Sequence, residues 1–202
     1  LGDVLTIQER FGKQPRGLKV VVSWTYAPSY TRPLSVPQSL ARLMPRFGMD
    51  VVLAHPPEYR LMPHVLEAAQ RLAAENGASF QIVHDMDEAF QDADVVYPKS
   101  WGCLEYSQDP KVIVETNSRY KDWICDGRRM ALTHQESIYM HCMPFDRGME
   151  VTDEVVDGPH SVVYDQAENR LHIQKAIMAL TMSKFDYKPK APAKSGKQGV
   201  AA

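Results

Sequence analysis

Between Ser137 and Glu150 the chain reads SIYMHCMPFDRGME, and His141, Cys142, Asp146 and Arg147 bring an imidazole, a thiol, a carboxylate and a guanidinium close together. The stretch opens as a short apolar strand and must turn at its end, because Pro144 has no amide donor and Gly148 is conformationally free. In an open α/β sheet ligands bind at the carboxyl ends of strands, so these groups stand where one small ligand would meet them. The competing reading is a buried His-Cys pair at a strand end beside a surface arginine. A second group follows the run ADVVY at 93–97, where the chain continues Pro98, Lys99, Ser100, Trp101, Gly102. There a lysine can meet a carboxylate, a serine can hydrogen-bond and a tryptophan can form a rigid apolar wall. A solvent lysine beside a core tryptophan is the plainer alternative. Arg170, expected in the first turns of a final helix, is either an anion-binding group or a solvated helix arginine.

Positioning these groups takes a regular alternation of elements. Asp3 can cap a helix whose Val4, Ile7 and Phe11 share one face, and Gly12 ends it. Compact apolar runs at 18–23, 49–54, 79–84 and 93–97 predict strands, separated by helical patterns at 36–47, 62–74 and 85–90. Further strands are expected at 111–115 and 161–164. Between them come a helix of mixed polarity up to Met130, the strand opening at Ser137, and a short helix or turn at 152–156. Asp165 is read as the cap of the final helix. The alternation implies an α/β fold, a three-layer Rossmann-like parallel sheet flanked by helices. His55 and His84 fall at strand ends without metal-ligand spacing, and read as ordinary strand-end residues. The connection at 24–37, WTYAPSYTRPLSVP, holds three prolines where a tight Gly-rich turn would often sit. It lacks GxGxxG, which excludes the dinucleotide fingerprint.

Composition narrows the class. The chain has 202 residues, 44% of them hydrophobic, enough to bury the core of one α/β domain. A formal net charge of −2 argues against nucleic-acid binding through general phosphate attraction. The cysteines at 103, 125 and 142 have no paired spacing and suggest a reducing compartment, with a cytoplasmic location expected. No apolar run is long enough to span a membrane, and the basic-then-apolar pattern of a secretion signal is missing. The chain starts without Met directly in a helical pattern, as if a segment preceded it. Residues 1–182 are expected to form one domain, with 1–17 a helix and linker. Residues 183–202, with five lysines, two prolines and two glycines, are expected to be a flexible basic tail.

The motif and its sequel, HCMPFDRGMEVTDEVVDGPHSVVYDQAENRLHIQKAIMAL, resemble the terminal part of the aspartate/ornithine carbamoyltransferase family. There a His-Cys-Leu-Pro turn lies against the carbamoyl group and a later Glu-Asn-Arg opens the last helix. Here the counterparts are His141-Cys142-Met143-Pro144, with Met for Leu, and Glu168-Asn169-Arg170. The resemblance covers nearly all of the first 182 residues. The proline-rich connection is similar to that of the knotted, acylornithine-type subgroup, which implies a trefoil knot. The resemblance implies carbamoyl transfer from carbamoyl phosphate to the amine of an amino-acid-like substrate, without metal or other cofactor. It implies that His141 and Arg170 are catalytic, and that Cys142, Met143 and Pro144 complete the carbamoyl-phosphate contacts. Trp24, Lys99, Ser100, Trp101, Cys142 and Arg147 are implied for the second substrate. Ornithine enzymes carry an Asp near the position of Lys99, so free ornithine is expected to be disfavoured here. The family is trimeric and has an amino-terminal phosphate-gripping domain whose Ser-x-x-Thr-Arg segment these residues lack. The chain is therefore expected to supply the second-substrate domain of a carbamoyltransferase. The alternative is a non-catalytic small-molecule-binding or assembly domain descended from one.

Overall fold

The run KVVVSW is so rich in β-branched residues that it must be a strand covered on both faces, and Val20, Val21, Val22, Ser23 and Trp24 are all fully buried. In the computed structural model, which describes residues 1–28, 32–103 and 109–182, this strand, β1 (Lys19–Trp24), is the centre of a five-stranded sheet. Its companions are β2 (Asp50–Ala54), β3 (Phe80–Val83), β4 (Val95–Lys99) and β5 (Ile138–Tyr139), in the order β3-β2-β1-β4-β5, all parallel. Helices flank it: α1 (Gly2–Phe11), α2 (Ser35–Leu43), α3 (Pro63–Asn76), α4 (Met86–Phe90), α5 (Pro110–Ser118), α6 (Gly127–Met130), α7 (Asp153–Val156) and α8 (Val163–Met182). The expected parallel α/β architecture is therefore present. The tail at 183–202 and part of the proline-rich connection lie outside the described residues.

Three local expectations are corrected. The run KVIVE at 111–115 is helical, not a strand. Asp109 caps α5 by accepting from the Lys111 amide and Pro110 occupies its first turn, a pair of helix-start signals that outweighs β-branched content. Its inward face, Val112, Ile113, Thr116 and Asn117, has helical spacing, while Val114 is exposed. The helix expected up to Met130 shrinks to one turn, α6, capped by the Asp126 carboxylate on the Arg129 amide. Ser161 makes only an isolated bridge to Tyr139, and the chain turns helical at Val163, so Asp165 lies in the first turn of α8 and is not its cap. Arg170 consequently sits well inside the helix, away from the amides at its start.

The carboxyl edge of the sheet is where the chain is stitched most tightly. Strand order reverses between β1 and β4, whose carboxyl ends are Trp24 and Lys99. Trp24 Nε1 donates to the Trp101 carbonyl at 2.9 Å, and Trp101 Nε1 donates to the Tyr59 carbonyl at 2.6 Å. The Trp24 ring lies 4.2 Å from that of Tyr59 and meets Tyr120 and Trp123 edge-on. Asn117 donates to the Ala27 carbonyl at 2.6 Å and accepts from the Tyr59 hydroxyl. Beside the ends of β4 and β5, α1 packs along α8 so that a Cβ at Gly2 would lie 3.4 Å from Arg170 Cγ.

Candidate active site

The polar groups at the ends of β4 and β5 are organised by a residue outside the expected set, Glu150. Its side chain is fully buried. Its Oε1 accepts from Lys99 Nζ at 3.0 Å, the Ser100 amide at 2.8 Å and Ser100 Oγ at 2.9 Å. Its Oε2 accepts from the Asp146 amide at 2.9 Å and lies 3.6 Å from an Arg32 nitrogen. Burial alone would raise this carboxyl, but the facing His141 ring, the Lys99 ammonium and the Ser100 amide together hold it well below the usual carboxylate range. A buried charge survives only when matched in this way. Lys99 is buried, and its carboxylate partner belongs to the chain itself.

The motif residues form the adjoining turn. Met143 N donates to His141 Nδ1 at 2.9 Å, so Nδ1 is an acceptor and the proton of the neutral ring belongs on Nε2. That Nε2 is buried without a hydrogen-bond partner among the described residues, 3.6 Å from Glu150 Oε1. Burial lowers the proton affinity of the imidazole against the pull of Glu150, so the ring is a neutral donor near pH 7. Met143 adopts a φ of 52°, rare for a side chain other than glycine, and its bond to Pro144 is cis. Burial also pushes the Cys142 thiol up, against the nearby Lys99 charge, which leaves it a thiol and not a thiolate nucleophile. Arg32 reaches across from the proline-rich connection to Asp146 at 2.6 Å and to the Pro144 carbonyl at 3.4 Å.

His141, Cys142, Met143 and Arg170 line one cleft of about 470 Å³, bounded by the start of α1, by α2 and by α8. Arg170 makes no hydrogen bond or ion pair among the described residues, and its guanidinium is the uncommitted cation of this cleft. The remaining expected residues lie elsewhere. Trp24 and Trp101 are core residues of the aromatic group at the sheet edge, and Ser100 is spent on Glu150; none of the three lines this cleft. Arg147 is exposed and bound by Asp153 at 2.6 Å and Asp157 at 2.6 and 2.9 Å. Two residues missed at the sequence level belong to the site, Glu150 and Gln166. Glu150 closes the very motif that opens at Ser137, and its place beside a conformationally free glycine-containing turn was the available signal. Gln166 sits four residues before Arg170, on the same helical face.

No three of the described His, Cys, Asp and Glu residues form a metal-binding group. The family model for the aspartate/ornithine carbamoyltransferase Asp/Orn binding domain matches residues 33–181. The chain belongs to that family. It is 42% identical over 187 residues to the N-acetylornithine carbamoyltransferase of Xanthomonas axonopodis pv. citri (strain 306), covering 91% of this chain and 53% of the relative. It is 38% identical over 216 residues to the putative carbamoyltransferase YgeW of Escherichia coli (strain K12), covering 95% and 54%. An acetylornithine transcarbamylase crystallised with acetylcitrulline superposes with a TM-score of 0.82 at 42% identity, covering 89% of this chain and 54% of that one. The chain thus spans about half the length of the curated relatives it matches. In this family domain the His141–Pro144 turn, with Met143 in place of Leu, stands against a cleft.

Proposed function

We propose that the complete protein transfers the carbamoyl group of carbamoyl phosphate to the amine of an amino-acid-like substrate, releasing phosphate, and that this chain supplies the second-substrate domain. The observation that carries the reading is the His141–Pro144 turn, braced from behind by Glu150 and facing a cleft in which Arg170 is uncommitted. Such a transfer needs the two substrates held together, the carbonyl polarised and the developing charge stabilised. His141 Nε2–H, 3.6 Å from Glu150 Oε1, would donate to the carbamoyl oxygen by turning from that carboxylate. Backbone groups of Cys142 and Met143 accept from the carbamoyl amide, with Pro144 ending the turn. Arg170 serves the carbonyl or phosphate oxygens. Lys99 and Ser100 act on the second substrate through Glu150, by fixing the carboxylate that holds the Asp146 amide. Arg147 would meet a substrate carboxylate only by exchanging it for Asp153 or Asp157. The phosphate-gripping amino-terminal domain and trimeric assembly that the family resemblance implies complete the proposal.

The test is product formation by the complete protein, followed by mass, with carbamoyl phosphate and a panel of ornithine, acylated ornithines and other diamino acids. A product heavier by one carbamoyl group, with phosphate released in equal amount, is expected. Binding of these ligands without turnover would instead establish a non-catalytic binding domain.

A further inference from the structure

Gln166 is 1% exposed and its carboxamide is committed at both ends. Oε1 accepts from the His141 amide at 2.9 Å, while Nε2 donates to Asp3 Oδ1 at 2.6 Å and to the Tyr97 hydroxyl oxygen at 3.1 Å. Only the oxygen end can accept and only the nitrogen end can donate, so the orientation of the amide is fixed by its partners. Tyr97 and Cys142 line the same cleft. One side chain on α8 therefore joins α1, β4 and His141, the leading residue of the motif turn. Asp3, Tyr97, His141, Cys142 and Gln166 all line the cleft, as does Arg170. Gln166 and Arg170 are four residues apart on α8, so one face of one helix carries both the clamp on the turn and the free guanidinium.

We propose that Gln166 is a positioning residue that registers the His141–Pro144 turn against Arg170 across the cleft, with Asp3 of α1 as its anchor. A glutamine that merely filled space could be replaced by leucine at the cost of some stability. One that sets the turn must keep an acceptor toward His141 and a partner at Asp3. The kinetic arm of the proposal rests on the carbamoyl-transfer reading; the labelling arm does not.

The test uses Gln166→Leu, Gln166→Glu and the double variant Asp3→Asn/Gln166→Glu in the complete protein. Gln166→Leu removes both ends of the clamp, and kcat should fall roughly a hundredfold with a smaller change in KM, as misplaced reacting groups cost. Gln166→Glu keeps the acceptor for His141 but sets two carboxylates against each other at the 2.6 Å contact. Asp3 on α1, Tyr97 on β4, His141 and Cys142 on the turn and Arg170 on α8 are the titratable and charged groups facing the new side chain. A shared proton relieves such a pair, so kcat of Gln166→Glu should fall as pH rises over about pH 5 to 8. The double variant reverses donor and acceptor between positions 3 and 166, and should restore activity and remove that pH limb. In parallel, iodoacetamide labelling of Cys142, read by peptide mass, should follow the same order: fast in Gln166→Leu, pH-dependent in Gln166→Glu, near wild type in the double variant. If the wild-type protein transfers no carbamoyl group, the proposed function fails and labelling alone decides the clamp. A Gln166→Glu variant with the wild-type pH profile and labelling rate, or a double variant no better than the single, would overturn the proposal.

Discussion

Replacing Lys99 with methionine would leave the Glu150 carboxylate buried without its ammonium, and breaking such a pair costs about 3–5 kcal/mol. Denaturant unfolding should show that loss for Lys99→Met, and a Lys99→Met/Glu150→Met double variant should lose less than the sum of the two single changes. Losses that simply add would mean the two side chains are not coupled. The same pairing changes the meaning of Lys99 for specificity, because a cation already matched by Glu150 does not repel the second ammonium of ornithine. His55 makes a different prediction. Its Nδ1 donates to the Pro56 carbonyl at 2.8 Å, and Nε2 is buried with no partner, so burial depresses its pKa to about 4. A histidine with a lowered folded-state pKa favours folding fully above its unfolded value of about 6.5, and that contribution is lost as pH falls toward the folded value. Stability should therefore decline between about pH 6.5 and pH 4, by as much as ~3 kcal/mol from this group. The slope should flatten in His55→Asn, which can keep the Pro56 contact; an unchanged slope would assign the loss to other groups. The residue scale is also where sequence and structure part most. His141, Cys142 and Arg170 were legible because a motif fixes their order and spacing. Glu150 and Gln166 were not, because a buried charge match between positions 99 and 150, or a clamp between 3 and 166, is a fact of tertiary contact that local pattern does not carry.

At the level of elements, strands with a continuous β-branched run were readable wherever both faces are covered, as in β1, β2 and β4. The segment KVIVE is helical despite its β-branched content because Asp109 and Pro110 place a helix start immediately before it, and the buried positions that follow have helical spacing. Asp109→Ala should destabilise α5 by about 1 kcal/mol, measured as a shift in the unfolding midpoint. A comparable substitution of exposed Val114 by lysine should be nearly silent, whereas in a half-buried strand it would not. Asn117→Ala removes the side chain that bridges the Ala27 carbonyl and the Tyr59 hydroxyl. Left unmatched and buried, the Ala27 carbonyl should cost about 1–2 kcal/mol, again by denaturant unfolding. The shortness of β5, two residues, explains why the strand expected at Ser161 reduces to a single bridge: there is little edge on which to pair.

Among the described residues, buried aromatic and charged side chains sit along the carboxyl edge of the parallel sheet, and a cleft opens beside β4 and β5. Through that opening the motif turn faces α1, α2 and the inner face of α8. Topology explains the arrangement only in part. The strand-order reversal lies between β1 and β4, yet the edge there is filled by Trp24 and the Lys99–Glu150 pair. The cleft is displaced to the neighbouring strand ends, where the family motif stands. The central claim is that this cleft holds carbamoyl phosphate against the turn with Arg170 as its free cation, and one substitution tests it most directly. Arg170 makes no protein contact of its own charge among the described residues, so Arg170→Met should leave thermal unfolding of the complete protein unchanged. If the cleft is the carbamoyl-phosphate site, kcat/KM for carbamoyl phosphate should fall by about a hundredfold or more, the loss of roughly 2.7 kcal/mol or more of transition-state stabilisation. A variant of unchanged stability whose kcat/KM stays within about twofold of wild type would contradict the account.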